Sequence, residues 1–143
     1  MAVCAMMRSY SFKPRFAAQI ISGAKTSTIR RNGTKPHARR GDLLQLYTGA
    51  LTSGWQKLLV APCFFAAPIE VRSDHIIRAG AALTDIEAEA LAQDEGFADF
   101  NALRAWCDQA YGFPVRNLTQ LRWHRARASF VGTLKAAPQG ASQ

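Results

Sequence analysis

The chain is predicted to fold as a single α+β domain, in which a closed or nearly closed mixed sheet is flanked by helices. Its 143 residues match the size of one domain. Strand-like and helical segments do not alternate as they would in a doubly wound α/β fold. No fixed repeat and no Pro/Gly/Ser-rich linker divides the chain. We therefore expect one domain over residues 1–133 and a flexible tail over residues 134–143.

Turn chemistry and β-branched residues predict the first elements. Residues 13–22 form a short amphipathic helix, which Gly23 can end in the left-handed conformation. Strands are expected over residues 26–30, 43–48, 58–65 and 69–72, where Pro62 and Pro68 mark turns or bulges. A final strand is expected over residues 121–130.

Two helices are predicted in the second half of the chain. Thr84 followed by Glu87 forms a capping box for a helix that ends near residue 93. Asp99 can cap a second helix that ends before residue 112. The buried stripe of this second helix is expected to contain Phe100, Leu103, Trp106 and Tyr111.

The net charge of +8 lies in the first half of the chain. Residues 1–72 hold 11 Lys and Arg against only Asp42 and Glu70, whereas residues 73–143 hold 7 against 8 acids. Such a field attracts polyanions, although it could serve solubility alone. Anionic lipid head groups would be attracted in the same way.

Several function classes are excluded by missing motifs. The phosphate-binding loop of nucleotide triphosphatases needs a glycine where Ala18 stands. There is no Gly-x-Ser-x-Gly elbow, and the three cysteines and three histidines lack metal-ligand spacing, so neither a metal nor a cofactor is expected. Without a signal pattern or a long apolar run, we expect a cytoplasmic monomer with no membrane partner.

One compact polar cluster remains, in a Gly-x-Lys-x-x-Thr-x-Arg run. Alternation along the predicted strand places Thr28 and Arg30 on one face, and the helix-to-strand junction can aim Lys25 beside them. A lysine near an arginine in a partly desolvated cleft loses proton affinity and so becomes a usable base near neutral pH. Solvated strand-edge side chains are the alternative interpretation.

Three segments resemble the ASCH family over about residues 12–130. They are residues 16–31 (FAAQIISGAKTSTIRR), Gly41-Asp42 followed by a strand, and residues 94–97 (DEGF) with a later Trp106. ASCH domains are small PUA-like mixed β-barrels with flanking helices. The resemblance implies a cleft for RNA or for a nucleoside derived from RNA.

Small bacterial members of this family are metal-independent N4-acetylcytidine amidohydrolases that use a lysine, a threonine and a glutamate. The matching positions here are Lys25, Thr28 and Glu95, with Glu70 as a competing carboxylate. The resemblance implies that Thr28 is the nucleophile and Lys25 its base. Glu95 would orient the lysine or protonate the leaving amine.

A second set of residues is predicted to bind substrate or RNA. The loop over residues 30–40 carries five cations and no acid, and Arg125 with its neighbouring arginines surrounds Trp123, which could stack a base. Tyr47 could stack a base or belong to the core. The loop cations are Arg30, Arg31, Lys35, Arg39 and Arg40.

These patterns leave more than one function open. The first hypothesis is an ASCH-type hydrolase acting on N4-acylated cytidine or a related modified pyrimidine nucleoside. The alternative is a single-stranded RNA-binding module, with or without weak ribonuclease activity. A third hypothesis is a protein-interaction domain whose charge serves only solubility.

Overall fold

The computed structural model describes residues 6–49 and 55–129 of the chain, which falls into two compact units. Unit 1 comprises residues 1–26, 38–64 and 123–143, and unit 2 comprises residues 27–37 and 65–122. That residues 1–133 form one domain stays a prediction, and the predicted tail lies outside the described residues.

Seven strands and three α-helices occur in the described ranges. They are β1 (Met7–Phe12), α1 (Ala17–Ser22), β2 (Ser27–Arg31), β3 (Leu43–Thr48), β4 (Gln56–Val71), β5 (Ile76–Arg78), β6 (Ala81–Ala82), α2 (Asp85–Asp94), α3 (Phe100–Ala110) and β7 (Val115–Trp123). Short 3₁₀ helices cover Pro14–Phe16 and Arg125–Arg127. The predicted α+β class, with a mixed sheet and helices, is confirmed.

In unit 1, three strands form a mixed sheet. Strand β1 runs parallel to β3, with Met7 opposite Leu43, and β3 runs antiparallel to the first part of β4. The register shifts between Leu46 and Tyr47, as a β-bulge does. Apolar side chains of these strands are fully buried and form the core of the unit.

In unit 2, strand β2 pairs antiparallel with β7. The end of β4 pairs antiparallel with β5, and β5 in turn pairs with β6. Helices α2 and α3 share a buried apolar cluster with these strands, which includes Ile69, Val71, Leu91 and Leu103. In the described residues, the strand pairings within each unit do not close into a barrel. The cluster holds β2 and the end of α2 in place.

Most of the early predictions are confirmed. The helix before Gly23 is present, with Gly23 at a φ of 91°, and β2 and β3 lie within one residue of their predicted bounds. Thr84 and Glu87 form the predicted capping box, and the Asp99 side chain accepts from the backbone N–H of Ala102. Local sequence was sufficient at these positions.

The prediction of two separate strands over residues 58–72 is wrong, because β4 continues through both prolines. The Pro62 carbonyl accepts from His124 N–H and the Pro68 carbonyl accepts from Ala79 N–H. Each proline therefore contributes an acceptor to the sheet without needing an N–H of its own.

Three further differences concern elements that depend on tertiary contacts. Strands β1, β5 and β6 were not predicted, and the final strand covers residues 115–123 rather than 121–130. Residue 130 lies outside the described ranges. On α3 the buried positions are Leu103 and Cys107, whereas Trp106 and Tyr111 are exposed. The predicted buried stripe is therefore wrong after Leu103, because Cys107 rather than Trp106 faces the core.

Among residues 6–49 and 55–129, every helix is too short or too polar to cross a membrane.

Candidate active site

Three polar side chains in a run of four residues are buried. Lys25 is 4% exposed, Ser27 1% and Thr28 5%. Polar and charged groups lose hydration when they are buried, so such groups are kept inside a protein only with partners or for a function. The run that the sequence singled out is therefore a site with unusual burial of polar groups.

Lys25 lies in unit 1, just after helix α1. The left-handed Gly23 ends this helix, and the backbone N–H of Lys25 then donates to the Gln19 carbonyl at 3.0 Å. The Lys25 ammonium lies 5.1 Å from the centre of the Phe16 ring, within the range of a cation–π contact. The turn and the ring together fix the lysine.

Ser27 and Glu95 meet in unit 2. The Ser27 hydroxyl donates to Glu95 Oε2, and the side-chain amide of Gln120 donates to the same hydroxyl oxygen at 3.2 Å. Gln120 lies on β7 opposite Ile29 of β2. Its side chain is therefore on the same face of the sheet as that of Ser27. Ser27 and Gln120 are each 1% exposed and Glu95 is half-buried, so the network runs from the interior of unit 2 towards its surface.

The position of Glu95 follows from the end of α2. Glu95 is the C-cap residue, and Gly96 follows with a φ of 94°, which turns the chain out of the helix. The turn is closed by Phe97 N–H donating to the Ala92 carbonyl at 2.9 Å. A carboxylate from a distant helix is thereby brought to the start of β2.

Thr28 lies on the opposite face of β2 from Ser27. Arg30 Nε donates to Thr28 Oγ1 at 3.1 Å, as expected for residues two apart on a strand. The structure thus brings Thr28 together with Arg30, and Glu95 together with Ser27. Ser27 was not among the predicted site residues, although its place between Lys25 and Thr28 was the signal that could have identified it.

Glu70, the competing carboxylate, is occupied elsewhere in unit 2. Arg72 Nε contacts Glu70 Oε2 at 2.5 Å, and Arg116 Nε contacts Glu70 Oε1 at 3.5 Å. The hydrogen bond from Arg72 is the main reason that the pKa of Glu70 is lowered. Such a carboxylate is suited to an ion pair and is a weak proton carrier.

The predicted basic loop is largely exposed. Its four outer cations, Arg31, Lys35, Arg39 and Arg40, all face solvent. Arg31 also lies over the ring of Tyr111, with its guanidinium carbon 4.9 Å from the ring centre. These side chains are available for contacts with phosphates or bases.

Two residues predicted to bind RNA have structural roles in unit 1. Trp123 is 1% exposed and packs edge-on against Phe12 at 6.1 Å, so its ring has no open face for a base. The Arg125 guanidinium donates to the Ile21 carbonyl near the end of α1, where a cation is favourable. Trp123 is therefore closed to a base, and the half-buried Arg125 is held at the end of α1.

Tyr47 takes part in an aromatic pair in unit 1. Its ring centre lies 5.7 Å from that of Trp55, and the Lys57 ammonium lies 5.9 Å from the Trp55 ring centre. Trp55 is 47% exposed. In the sequence Trp55 is a single tryptophan near a turn, with no diagnostic spacing to mark it as a functional residue.

A search of the described residues for groups of three or more His, Cys, Asp or Glu side chains that could hold a metal ion finds none. Cys63 and Cys107 are buried thiols, and burial raises the pKa of Cys107 to about 11. A thiol with that pKa is a poor nucleophile near neutral pH. The buried run and Glu95 offer hydroxyl, amine and carboxyl groups.

No protein-family model matches the chain, and no curated protein matches it. A crystal structure of a serine-to-alanine mutant of an ASCH protein from Zymomonas mobilis is similar, with a TM-score of 0.48 and 17% identity. The similarity covers 82% of this chain and 67% of that one. That protein carries the family name to which the sequence resemblance pointed.

Proposed function

We propose that this protein is a hydrolase that removes the acyl group from N4-acylated cytidine or a related modified pyrimidine nucleoside. The observation that carries the proposal is the burial of Lys25, Ser27 and Thr28 within four residues, with the Glu95 carboxylate bound to the middle one. Solvated strand-edge side chains, the alternative interpretation, would be exposed.

The proposed reaction starts with Thr28 as nucleophile. Its hydroxyl oxygen attacks the carbonyl carbon of the exocyclic amide while Lys25 accepts the hydroxyl proton. The Arg30 guanidinium, 3.1 Å from Thr28 Oγ1, adds positive charge where the oxyanion develops.

The second half of the proposed reaction restores the enzyme. The bond between the acyl carbon and N4 breaks, and the proton that Lys25 took from Thr28 passes to the nitrogen, so that cytidine leaves. Water then hydrolyses the acyl-threonine ester and releases the carboxylic acid. The hydrogen bond from Ser27 keeps the Glu95 carboxylate at the start of β2 throughout.

The test measures the conversion of N4-acetylcytidine to cytidine by chromatography. Lys25→Ala should lower turnover by about 10²- to 10⁴-fold, the usual contribution of a positioned acid or base. Glu95→Gln should also impair turnover, whereas Glu70→Gln, the matched carboxylate control, should not. No conversion by the unaltered protein, or an unchanged rate in a folded Lys25→Ala variant, would remove the assignment.

A second candidate function is binding of single-stranded RNA, and the exposure of Arg31, Lys35, Arg39 and Arg40 favours it. If Arg30 and these four cations all contacted phosphates of a single strand, the slope of log affinity against log salt would be about −3.5. A labelled single-stranded RNA measured beside the nucleoside distinguishes the two functions. A flat salt response would leave only a nucleoside pocket.

A further inference from the structure

An aromatic ridge on unit 2 has no role in the proposed chemistry. It consists of Phe97, Trp106 and Tyr111. The ring centres of Phe97 and Trp106 are 5.9 Å apart, and those of Trp106 and Tyr111 are 5.6 Å apart in an edge-to-face arrangement. Trp106 is 49% exposed and Tyr111 44%, whereas Phe97 packs against the buried cluster of unit 2. Phe97 therefore supports the Trp106 ring against the buried cluster, and the rings of Trp106 and Tyr111 are both partly exposed to solvent.

A cation lies at one end of the ridge. The Arg31 guanidinium is 4.9 Å from the centre of the Tyr111 ring. The backbone carbonyl of Arg31 contacts His37 Nε2 at 2.8 Å. Arg31 belongs to a stretch of unit 2, residues 30–37, that holds three cations and no acid. Exposed rings beside cations form the kind of surface that binds single-stranded nucleic acid, because the rings stack on bases and the cations attract phosphates.

The ridge is continuous with the candidate active site. Arg31 and Ser27 share one face of β2, and four residues of strand separate them by about 13 Å. At the other end, Phe97 follows Glu95 by two residues, in the turn that closes α2. A strand bound along Trp106 and Tyr111 would therefore have one nucleotide near the start of β2, where Thr28 follows Ser27, and its neighbours on the ridge.

We infer that the ridge stacks the bases of single-stranded RNA, so that the substrate is a modified cytidine within an RNA strand rather than the free nucleoside. This inference rests on the proposed function for the hydrolytic step. Trp106 and Tyr111 supply the stacking faces. Arg31 contacts a phosphate or the plane of a base.

The experiment compares two substrates, free N4-acetylcytidine and a short single-stranded RNA with one internal N4-acetylcytidine. Trp106→Ala and Tyr111→Ala should each raise KM for the RNA by about tenfold, the loss expected from one stacked base. Neither variant should change kcat/KM for the free nucleoside. Ile86→Ala, which removes an 82% exposed apolar side chain from α2 in the same unit, is the matched control and should change neither.

A binding measurement separates failure of the ridge from failure of the hydrolase. Fluorescence anisotropy with unmodified single-stranded RNA should show about tenfold weaker binding for Trp106→Ala even if the protein hydrolyses neither substrate. Unaltered RNA affinity in both ridge variants would overturn the inference. Equal losses on the nucleoside and the RNA would also overturn it, as would a change in self-association without a change in RNA affinity.

Discussion

The two units of this protein differ in charge and in the chemistry that they bury. Unit 1 carries ten Lys and Arg against Asp42 alone, whereas unit 2 carries eight against nine acids. Unit 2 contains the network in which the buried Ser27 and Gln120 and the half-buried Glu95 are hydrogen-bonded. The long-range attraction of a polyanion therefore comes mainly from unit 1, and the hydroxyl–carboxylate chemistry is concentrated in unit 2. In a chain this short, a net charge says little about where the chemistry lies.

The largest expected effect separates the two buried hydroxyl groups of unit 2. Thr28→Val keeps the side-chain volume but removes the proposed nucleophile, and we expect turnover of N4-acetylcytidine to fall by about 10²- to 10⁴-fold or more. Ser27→Ala removes only the group that holds Glu95, and its loss should be about tenfold. Initial rates measured with both variants, after a check of their thermal unfolding, decide the roles. A greater loss in Ser27→Ala would transfer the nucleophilic role to Ser27.

The next effect compares cations of the two units. Neutralising Arg39 and Arg40 in unit 1, or Arg31 and Lys35 in unit 2, should make the salt slope of single-stranded RNA binding less steep by about 1.4 for each pair. Anisotropy titrations at several salt concentrations give the slope. Arg125→Ala is the control, because this guanidinium is bound to the Ile21 carbonyl; it should lower Tm and leave the slope unchanged. A slope that does not respond to either pair would exclude the loop as a phosphate-binding surface.

A smaller effect compares two glutamine–serine hydrogen bonds of the same length. Gln120 donates to Ser27 at 3.2 Å in the interior of unit 2, and Gln45 donates to Ser9 at 3.2 Å on the surface of unit 1. Gln120→Leu removes a buried donor to Ser27 and an acceptor for the Arg78 guanidinium, at 3.3 Å, and should lower the free energy of unfolding by about 1–3 kcal/mol. Gln45→Leu should be nearly neutral, because water can replace the lost bond. Urea unfolding measures both, and equal effects would show that the unit 2 network is not internal.

The smallest effect is a pH dependence in unit 1. The pKa of Asp42 is lowered mainly because its carboxylate accepts from the backbone N–H groups of Arg39, at 2.8 Å, and Met6, at 3.1 Å. A lowered pKa in the folded state adds stability that is fully present above the ordinary aspartate pKa of about 3.9, and this stability is lost as the pH falls from there through the lowered pKa of the folded state. Asp42→Asn should therefore lower Tm at pH 7 but much less near pH 3. A difference that stays constant down to pH 3 would contradict this account.

Several features could be predicted from the sequence because short-range physics determines them. The helix ending at Gly23, the capping box of Thr84 and Glu87, and strand β3 each depend on neighbouring residues only. The Gly-x-Lys-x-x-Thr-x-Arg run was also identifiable, since Thr28 and Arg30 alternate along a strand directly after the helix stop at Gly23. The choice of Glu95 over Glu70 came from the resemblance, and Glu95 is the one that contacts β2.

Other features were decided only by tertiary structure. Trp123 and Arg125 form a basic and aromatic segment in the sequence, but packing against Phe12 and the end of α1 makes both structural. Trp106 matched a buried helical position, yet α3 presents Cys107 to the core and leaves the indole exposed. The sequence determines which side chains are present and how the local turns form. Burial and pairing depend on residues far apart in the chain, and for that reason the partners of Ser27, Glu95 and Tyr111 emerged only with the fold.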